Sequence, residues 1–89
     1  MEILIHEDSE NITAKTRTLD QLRVGETATV TLVTSSNPEL LQKLLSLGVV
    51  KGTTLKVSKI SPLGDPISIT IRGFELALRK SEARSVHVI

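Results

Sequence analysis

The side chains of this sequence that could hold a transition metal are few. Histidine occurs only at His6 and His87 and cysteine is absent, so the one local cluster of donors is the acidic stretch from His6 to Glu10. Sites for Fe²⁺ or Zn²⁺ need three or four nitrogen, sulfur or carboxylate donors that converge. The sequence has no H-x-x-H or H-E-x-x-H spacing. We therefore expect no metal site and no cofactor, because a cluster like the one from His6 to Glu10 would hold a hard cation only weakly.

Nucleophilic catalysis also lacks its usual residues. An activated serine or threonine needs an oriented base beside it, and His87 follows a serine, an arginine and a valine with no acid near it to orient the ring. Residues 34–37, ahead of the predicted helix, contain capping side chains but neither the glycines nor the lysine of a phosphate-binding loop. The protein is therefore not expected to be an enzyme.

Aromatic side chains are limited to Phe74. Small barrels that bind single-stranded nucleic acid stack bases on several aromatic side chains beside a basic groove, and proline-rich peptides dock in aromatic-lined grooves. One phenylalanine, placed by alternation on the apolar face of its strand, supplies neither surface. We expect no nucleic-acid partner, which leaves binding of another protein as the function to consider.

The charges are distributed unevenly along the chain. Residues 1–26 carry six acids and three bases, whereas residues 27–89 carry four acids and eight bases. This basic excess favours an acidic protein surface or weak contact with nucleic acid, although a mixed solvated surface would look the same. The sequence has no secretory signal and no apolar run near the ~20 residues that span a bilayer. We expect a cytoplasmic protein that does not insert into a membrane.

The elements that position these residues are short strands around one helix. An 89-residue chain is long enough for one domain. Leu19, Leu22 and Gly25 predict a single helical turn. Alternation of apolar and polar residues then predicts five strands, the third and fourth of which form a hairpin at Gly73, at about 28–32, 55–57, 67–72, 74–79 and 86–88. This pattern predicts a mainly all-β fold, a small partly open barrel with one short helix.

The predicted helix is capped by Asn37 or Ser36, has Pro38 at its first position and ends at Gly48. Its leucines cover an arc of about 160°, wider than the ~100° stripe that a surface helix needs to reach its own core. Leu41 and Leu45 lie at the outer edge of this arc. Either they are partly exposed and meet a partner or a second copy of the chain, or the barrel and the N-terminal segment cover them.

Four short blocks follow one another at regular spacing: Leu19, Leu22 and Gly25, then Leu44, Leu47, Gly48 and Gly52, then Gly64, Asp65 and Pro66, then Gly73, Leu78, Arg79 and Ala83. In this order and at this spacing they resemble the FeoA family. The resemblance implies an SH3-like barrel at residues 18–89. Residues 1–17 lie outside it and form an N-terminal extension, whose own residues suggest a possible extra strand and an acidic loop.

The resemblance also implies a non-enzymatic cytosolic accessory protein of ferrous-iron transport. Such a protein would dock on the cytoplasmic GTPase portion of the membrane iron transporter, which itself handles Fe²⁺. The residues predicted to face the partner are Leu41, Lys43 and Leu45 on the helix, Gly64 and Asp65 in the following turn, and Arg79 and Lys80 after the fourth strand.

The predicted site residues and the predicted function each have an alternative. Asp65 could instead be structural and accept backbone hydrogen bonds within its turn, while Arg79 and Lys80 could be ordinary surface charges. The same core also occurs as the C-terminal domain of metal-dependent repressors. The alternative function is therefore a stand-alone metal-responsive regulatory domain that binds a transition metal or a regulator protein.

Overall fold

The protein is described by a computed structural model that covers residues 17–89. The predicted N-terminal strand and the cluster from His6 to Glu10 lie outside these residues. In chain order the elements are β1 (Arg17–Thr18), a 3-10 turn (Leu19–Gln21), β2 (Thr27–Val33), α1 (Pro38–Ser46), β3 (Thr54–Ile60), β4 (Ile67–Ile71), β5 (Phe74–Leu78), α2 (Lys80–Ala83) and β6 (Val86–Val88).

The strands form one antiparallel sheet in the order β1-β6-β2-β3-β4-β5. Register shifts between Val30 and Leu32 in β2, and between Val57 and Lys59 in β3, mark irregularities that bend these strands as the sheet curls. Because β1 and β5 are the two ends of the order, the barrel remains open between them. The predicted all-β, partly open barrel is confirmed. The structure has six strands in residues 17–89, one more than the five predicted. The strand that was not predicted is β1, because a strand of two residues is too short to show an alternating pattern.

The core is aliphatic and comes mainly from alternate residues of the strands. The buried apolar side chains are Leu19, Leu22, Ala28, Val30, Leu44, Val49, Leu55, Val57, Ile67, Ile69, Ile71, Leu78, Ala83, Val86 and Val88. Burying a side chain the size of valine, leucine or isoleucine stabilises the fold by about 1.5 to 3 kcal/mol. Leu19 and Leu22, at the two ends of the 3-10 turn, fix the entry to the barrel as predicted.

Phe74 does not belong to this core. Alternation places it on the apolar face of β5, yet 47% of its surface is exposed. Phe74 is the first residue of an edge strand and follows a turn, so few neighbours are available to cover that face.

The turn between β4 and β5 is a tight hairpin of two residues. Both Arg72 (φ 52°) and Gly73 (φ 87°) have positive φ, as a type I′ turn requires, and Ile71 pairs with Phe74 across it. The predicted reversal at Gly73 is therefore confirmed. No helix in residues 17–89 is long and apolar enough to cross a membrane.

Candidate functional site

Helix α1 is positioned by its own capping residues. The Asn37 side-chain oxygen accepts a hydrogen bond from the backbone N–H of Glu39 (2.9 Å), Pro38 occupies the first helical position, and Gly48 (φ 89°) follows the helix in a left-handed conformation. These features match the sequence prediction. They place the helix in the connection between β2 and β3.

One face of α1 anchors it to the barrel, while a neighbouring flank remains accessible. Leu44 is fully buried, and Leu40 and Leu47 pack partly buried against the core. Leu45 is 44% exposed and Leu41 is half-buried. We call Leu41 and Leu45 the leucine flank. Of the two alternatives for these side chains, the described structure has the partly exposed one, and their role in binding remains a prediction.

Lys43 points to the opposite side of α1 and joins the helix to α2. Its Nζ lies 2.9 Å from Oε2 of Glu82, and the other carboxylate oxygen of Glu82 accepts a hydrogen bond from the backbone N–H of Arg79 (2.9 Å). The Glu82 side chain is 15% exposed and that of Lys43 is 51% exposed. Burial raises the pKa of Glu82, but the hydrogen bonds from Lys43 and from the Arg79 backbone, together with both positive charges, outweigh it and hold the pKa below its ordinary value.

The turn between β3 and β4 reaches the same place. Oδ1 of Asp65 accepts a hydrogen bond from the backbone N–H of Lys80 (3.0 Å), the first residue of α2. Gly64 (φ 86°) lies beside the Lys80 side chain, because a Cβ at Gly64 would be 4.0 Å from Lys80 Nζ. The bond from Asp65 therefore runs between two elements, whereas the structural alternative had placed it within the turn.

Five of the seven predicted partner-facing residues thus meet around the beginning of α2. We call this set the α2 cluster: Lys43, Gly64, Asp65, Arg79 and Lys80, joined by Glu82. At 100° per residue, Leu41 and Leu45 each lie about 160° around the helix from Lys43. The predicted residues therefore occupy two separate surfaces.

Glu82 is the residue of this cluster that the sequence predictions missed. It is the third residue of α2 and accepts from the backbone N–H of Arg79, the residue before the helix. This is the reciprocal half of a capping box, in which a glutamate at the third position bonds back to the cap. The spacing from Arg79 to Glu82 was a readable signal, and Thr18 and Gln21 repeat it at the 3-10 turn.

Most carboxylates of residues 17–89 are already committed to groups of the same chain. Glu26 pairs with Arg17 (3.1 Å) and accepts from the backbone N–H of Arg23 (2.7 Å). The backbone hydrogen bond from Arg23, then the hydrogen bond from the Arg17 side chain, lower the pKa of Glu26 against a small effect of burial. Asp20 lies 3.6 Å from Arg84, and Glu75 accepts from Ser58 Oγ (2.6 Å).

Seven bases, in contrast, have no carboxylate of residues 17–89 within 4.0 Å, namely Arg23, Lys51, Lys56, Lys59, Arg72, Arg79 and Lys80. Of these, Lys80 is half-buried and the others are exposed. The described surface consequently presents more unpaired positive than negative charge, which suits an acidic partner.

The next feature is the arrangement of metal donors, cavities and possible catalytic side chains in the part of the chain that the structure describes. No group of three or more His, Asp or Glu side chains converges there, and no cavity for a small ligand opens there. The ring of His87 is half-buried, with Nε2 3.1 Å from the Thr34 hydroxyl. A hydroxyl and one imidazole, without an acid to orient the ring, do not form a catalytic set.

Comparison with known proteins adds a family and a fold. The family model of the FeoA domain matches residues 17–89. Among solved structures, the chain is similar to a FeoA-like protein from Clostridium acetobutylicum, with 31% identity, a TM-score of 0.76 and coverage of 84% of this chain and 86% of that one. It is also similar to Stenotrophomonas maltophilia FeoA complexed with zinc, described as a prokaryotic SH3 domain protein, with 32% identity, a TM-score of 0.74 and coverage of 82% and 89%.

A second kind of similarity is to longer proteins. A manganese-dependent transcriptional repressor superposes with a TM-score of 0.78 at 25% identity. The match covers 84% of this chain but only 41% of the repressor. The same barrel therefore occurs as one part of a larger regulatory protein.

Proposed function

The chain belongs to the FeoA family, and we propose that it serves ferrous-iron transport as a non-enzymatic accessory protein that acts by binding another protein. The observation that carries this proposal is the leucine flank. Helix α1 is already anchored by Leu40, Leu44 and Leu47, yet it keeps Leu41 and Leu45 accessible. Apolar surface left on a core-anchored helix is available for a partner to cover.

The partner we propose is the membrane ferrous-iron transporter, contacted at its cytoplasmic GTPase portion, which places this protein in the cytoplasm. Support comes from the family, from the S. maltophilia relative, described as a candidate activating factor of bacterial ferrous iron transport, and from the charge of the described surface. The leucine flank would fill an apolar groove of the partner. The positive excess of the described surface would favour an acidic partner without belonging to the same contact.

In this scheme Fe²⁺ is cargo of the transporter and needs no ligands from this chain. The alternative, a stand-alone domain that responds to a transition metal or binds a regulator protein, is supported by the similarity to the manganese-dependent repressor. A transition metal titrated into the protein distinguishes the two, because the accessory role predicts no saturable, localised change in the NMR spectrum.

The direct test is a binding measurement on the leucine flank. The double variant Leu41→Asp/Leu45→Asp should weaken binding to the isolated GTPase portion of the transporter by at least ~10-fold, because burying carboxylates in an apolar contact costs more than about 1.4 kcal/mol. The matched control is Val24→Asp/Thr54→Asp, which adds the same two carboxylates at exposed, uncharged positions outside α1 and changes the net charge by the same amount. Unchanged affinity in the folded leucine variant, or equal loss in both variants, would refute the assignment.

A further inference from the structure

The outer edge of β5 has backbone groups that the barrel leaves unused. In a two-residue hairpin the residues that flank the turn exchange both hydrogen bonds, so Ile71 with Phe74 is such a pair. Hydrogen-bonded pairs alternate with non-hydrogen-bonded pairs along the ladder, so Leu76 and Leu78 also exchange hydrogen bonds with β4. The N–H and C=O groups of Glu75 and Ala77 therefore point away from β4. Neither has another backbone hydrogen bond within residues 17–89, and both are exposed.

This free edge is bounded at both ends. On one side lies the turn at Arg72 and Gly73. On the other, the Arg79 N–H donates to Glu82, and the Arg79 carbonyl accepts from the backbone N–H groups of Glu82 and Ala83. Pairing cannot extend beyond Leu78. The edge thus offers two donors and two acceptors, placed symmetrically about Leu76.

We propose that β5 is a self-association surface on which a second copy of this chain adds its own β5 in the antiparallel sense. A two-fold axis at Leu76 sets Glu75 opposite Ala77 of the second copy, and the reverse. Each of these two pairs exchanges two hydrogen bonds, so all four free groups on each copy are satisfied. At the centre the half-buried Leu76 faces its counterpart at the closest spacing of an antiparallel pair, about 4.5 Å between Cα atoms.

The charges along the edge agree with this register. Glu75, Ala77 and Arg79 alternate along the chain and share the outer face of the sheet. In the two-fold arrangement, Arg79 of the second copy lies diagonally beside Glu75. The Glu75 carboxylate, which accepts from Ser58 Oγ within one copy (2.6 Å), turns from β3 towards the edge to form this ion pair. Arg79 is exposed and has no carboxylate of residues 17–89 within 4.0 Å. Each copy therefore supplies one acid and one base, which is charge complementarity between identical surfaces.

The edge carries only part of the usual protection against pairing. Natural sheets protect exposed edges with charged side chains, short strands, proline or bulges. Residues 74–78 are a short strand with one charge, Glu75, and contain no lysine, proline or bulge. Such a short contact is far smaller than a standard stable interface, so the dimer should be weak. The leucine flank of α1, which carries the proposed binding of the transporter, lies outside this contact.

Sedimentation velocity and amide exchange on the full chain test the proposal. Between about 20 µM and about 1 mM, a range that brackets the affinity expected of so small a contact, the weight-average mass should rise from monomer towards dimer. Over the same range the Glu75 and Ala77 amides should become protected from exchange. Ala77→Pro removes one outward N–H from each copy without breaking the ladder to β4, so it should lower the association constant at least ~10-fold.

A charge swap checks the register. Glu75→Arg and Arg79→Glu should each weaken the dimer, and the double variant should restore it, because the ion pair is re-formed with reversed signs. Glu39→Arg, which changes the net charge as much as Glu75→Arg but lies on α1, should leave the association unchanged.

Three results would overturn the proposal. The first is a mass that stays monomeric up to about 1 mM. The second is a dimer in which the Glu75 and Ala77 amides still exchange freely, which would place the contact elsewhere. The third is protection of both amides in the monomer at every concentration, which would mean that another segment of the same chain occupies the edge.

Discussion

Substitution of Glu82 should separate the two interactions that join α1 to α2. Glu82→Gln removes the charge that pairs with Lys43 but keeps an oxygen that can accept from the Arg79 backbone, whereas Glu82→Ala removes both. Because the Lys43 side chain is half-exposed, we expect the ion pair to contribute about 0.5 to 1 kcal/mol. The capping hydrogen bond should add about 1 kcal/mol. The free energy of unfolding should therefore fall by less than 1 kcal/mol in Glu82→Gln and by about 2 kcal/mol in Glu82→Ala.

The assay is urea unfolding, supported by thermal melts in which about 1 kcal/mol corresponds to roughly 4–8 °C for a domain of this size. A double-mutant cycle with Lys43→Met isolates the ion pair, and its coupling energy should match the loss in Glu82→Gln. The pKa of Glu82 is lower in the folded protein than its ordinary value of 4.5. The stabilising contribution is thus fully present above about pH 4.5, and it disappears as the pH falls through the folded pKa.

In acid, then, the wild-type protein and Glu82→Gln should become equally stable. Two outcomes would refute this account. One is a loss below about 0.5 kcal/mol in Glu82→Ala, the size of an ordinary surface substitution. The other is a difference between the wild type and Glu82→Gln that does not change with pH.

Two further perturbations concern α1. Leu44→Ala should lower the free energy of unfolding, measured in urea, by about 2 to 5 kcal/mol because the side chain is fully buried. Leu45→Ala, one residue later and 44% exposed, should lower it by about 0.5 kcal/mol or less. Similar losses in the two variants would mean that the helix packs by another face. Gly48→Ala should lower the free energy of unfolding by about 1 to 2 kcal/mol, since residue 48 has φ 89°. Gly48→Asn should lower it less, because asparagine tolerates this conformation better. Equal stability of the wild type and both variants in thermal melts would contradict a left-handed residue at the end of α1.

Features set by neighbours in the sequence were predictable. Asn37, Pro38 and Gly48 act on backbone groups within a few residues, so their types alone located both ends of α1. The strands were predictable for a similar reason, because alternation reports which side of a strand faces the core. The family resemblance and the SH3-like barrel are confirmed by the match to the FeoA domain and by the solved structures.

Features set by neighbours in space were not predictable. Phe74 fits an inward position by alternation, but its exposure depends on β5 lying at the edge of the sheet, which no local pattern states. The sequence assigns no partner to Lys43, and for Asp65 it suggests only the backbone of its own turn. The actual partners, Glu82 and the backbone of Lys80, lie 39 and 15 residues away. The grouping of the predicted residues into the α2 cluster and the leucine flank depends on the same tertiary contacts.

The internal pairing of the carboxylates also affects how fast a partner would be found. Residues 17–89 carry ten bases and six acids, and five of those acids are held against groups of their own chain. At physiological salt, charges act over a Debye length of about 8 Å. Residues 1–16 carry four acids and one base, so the whole chain has a net charge of +1. The local positive excess of residues 17–89 would guide diffusional encounter with an acidic surface, so added salt would slow association more than it would hasten dissociation.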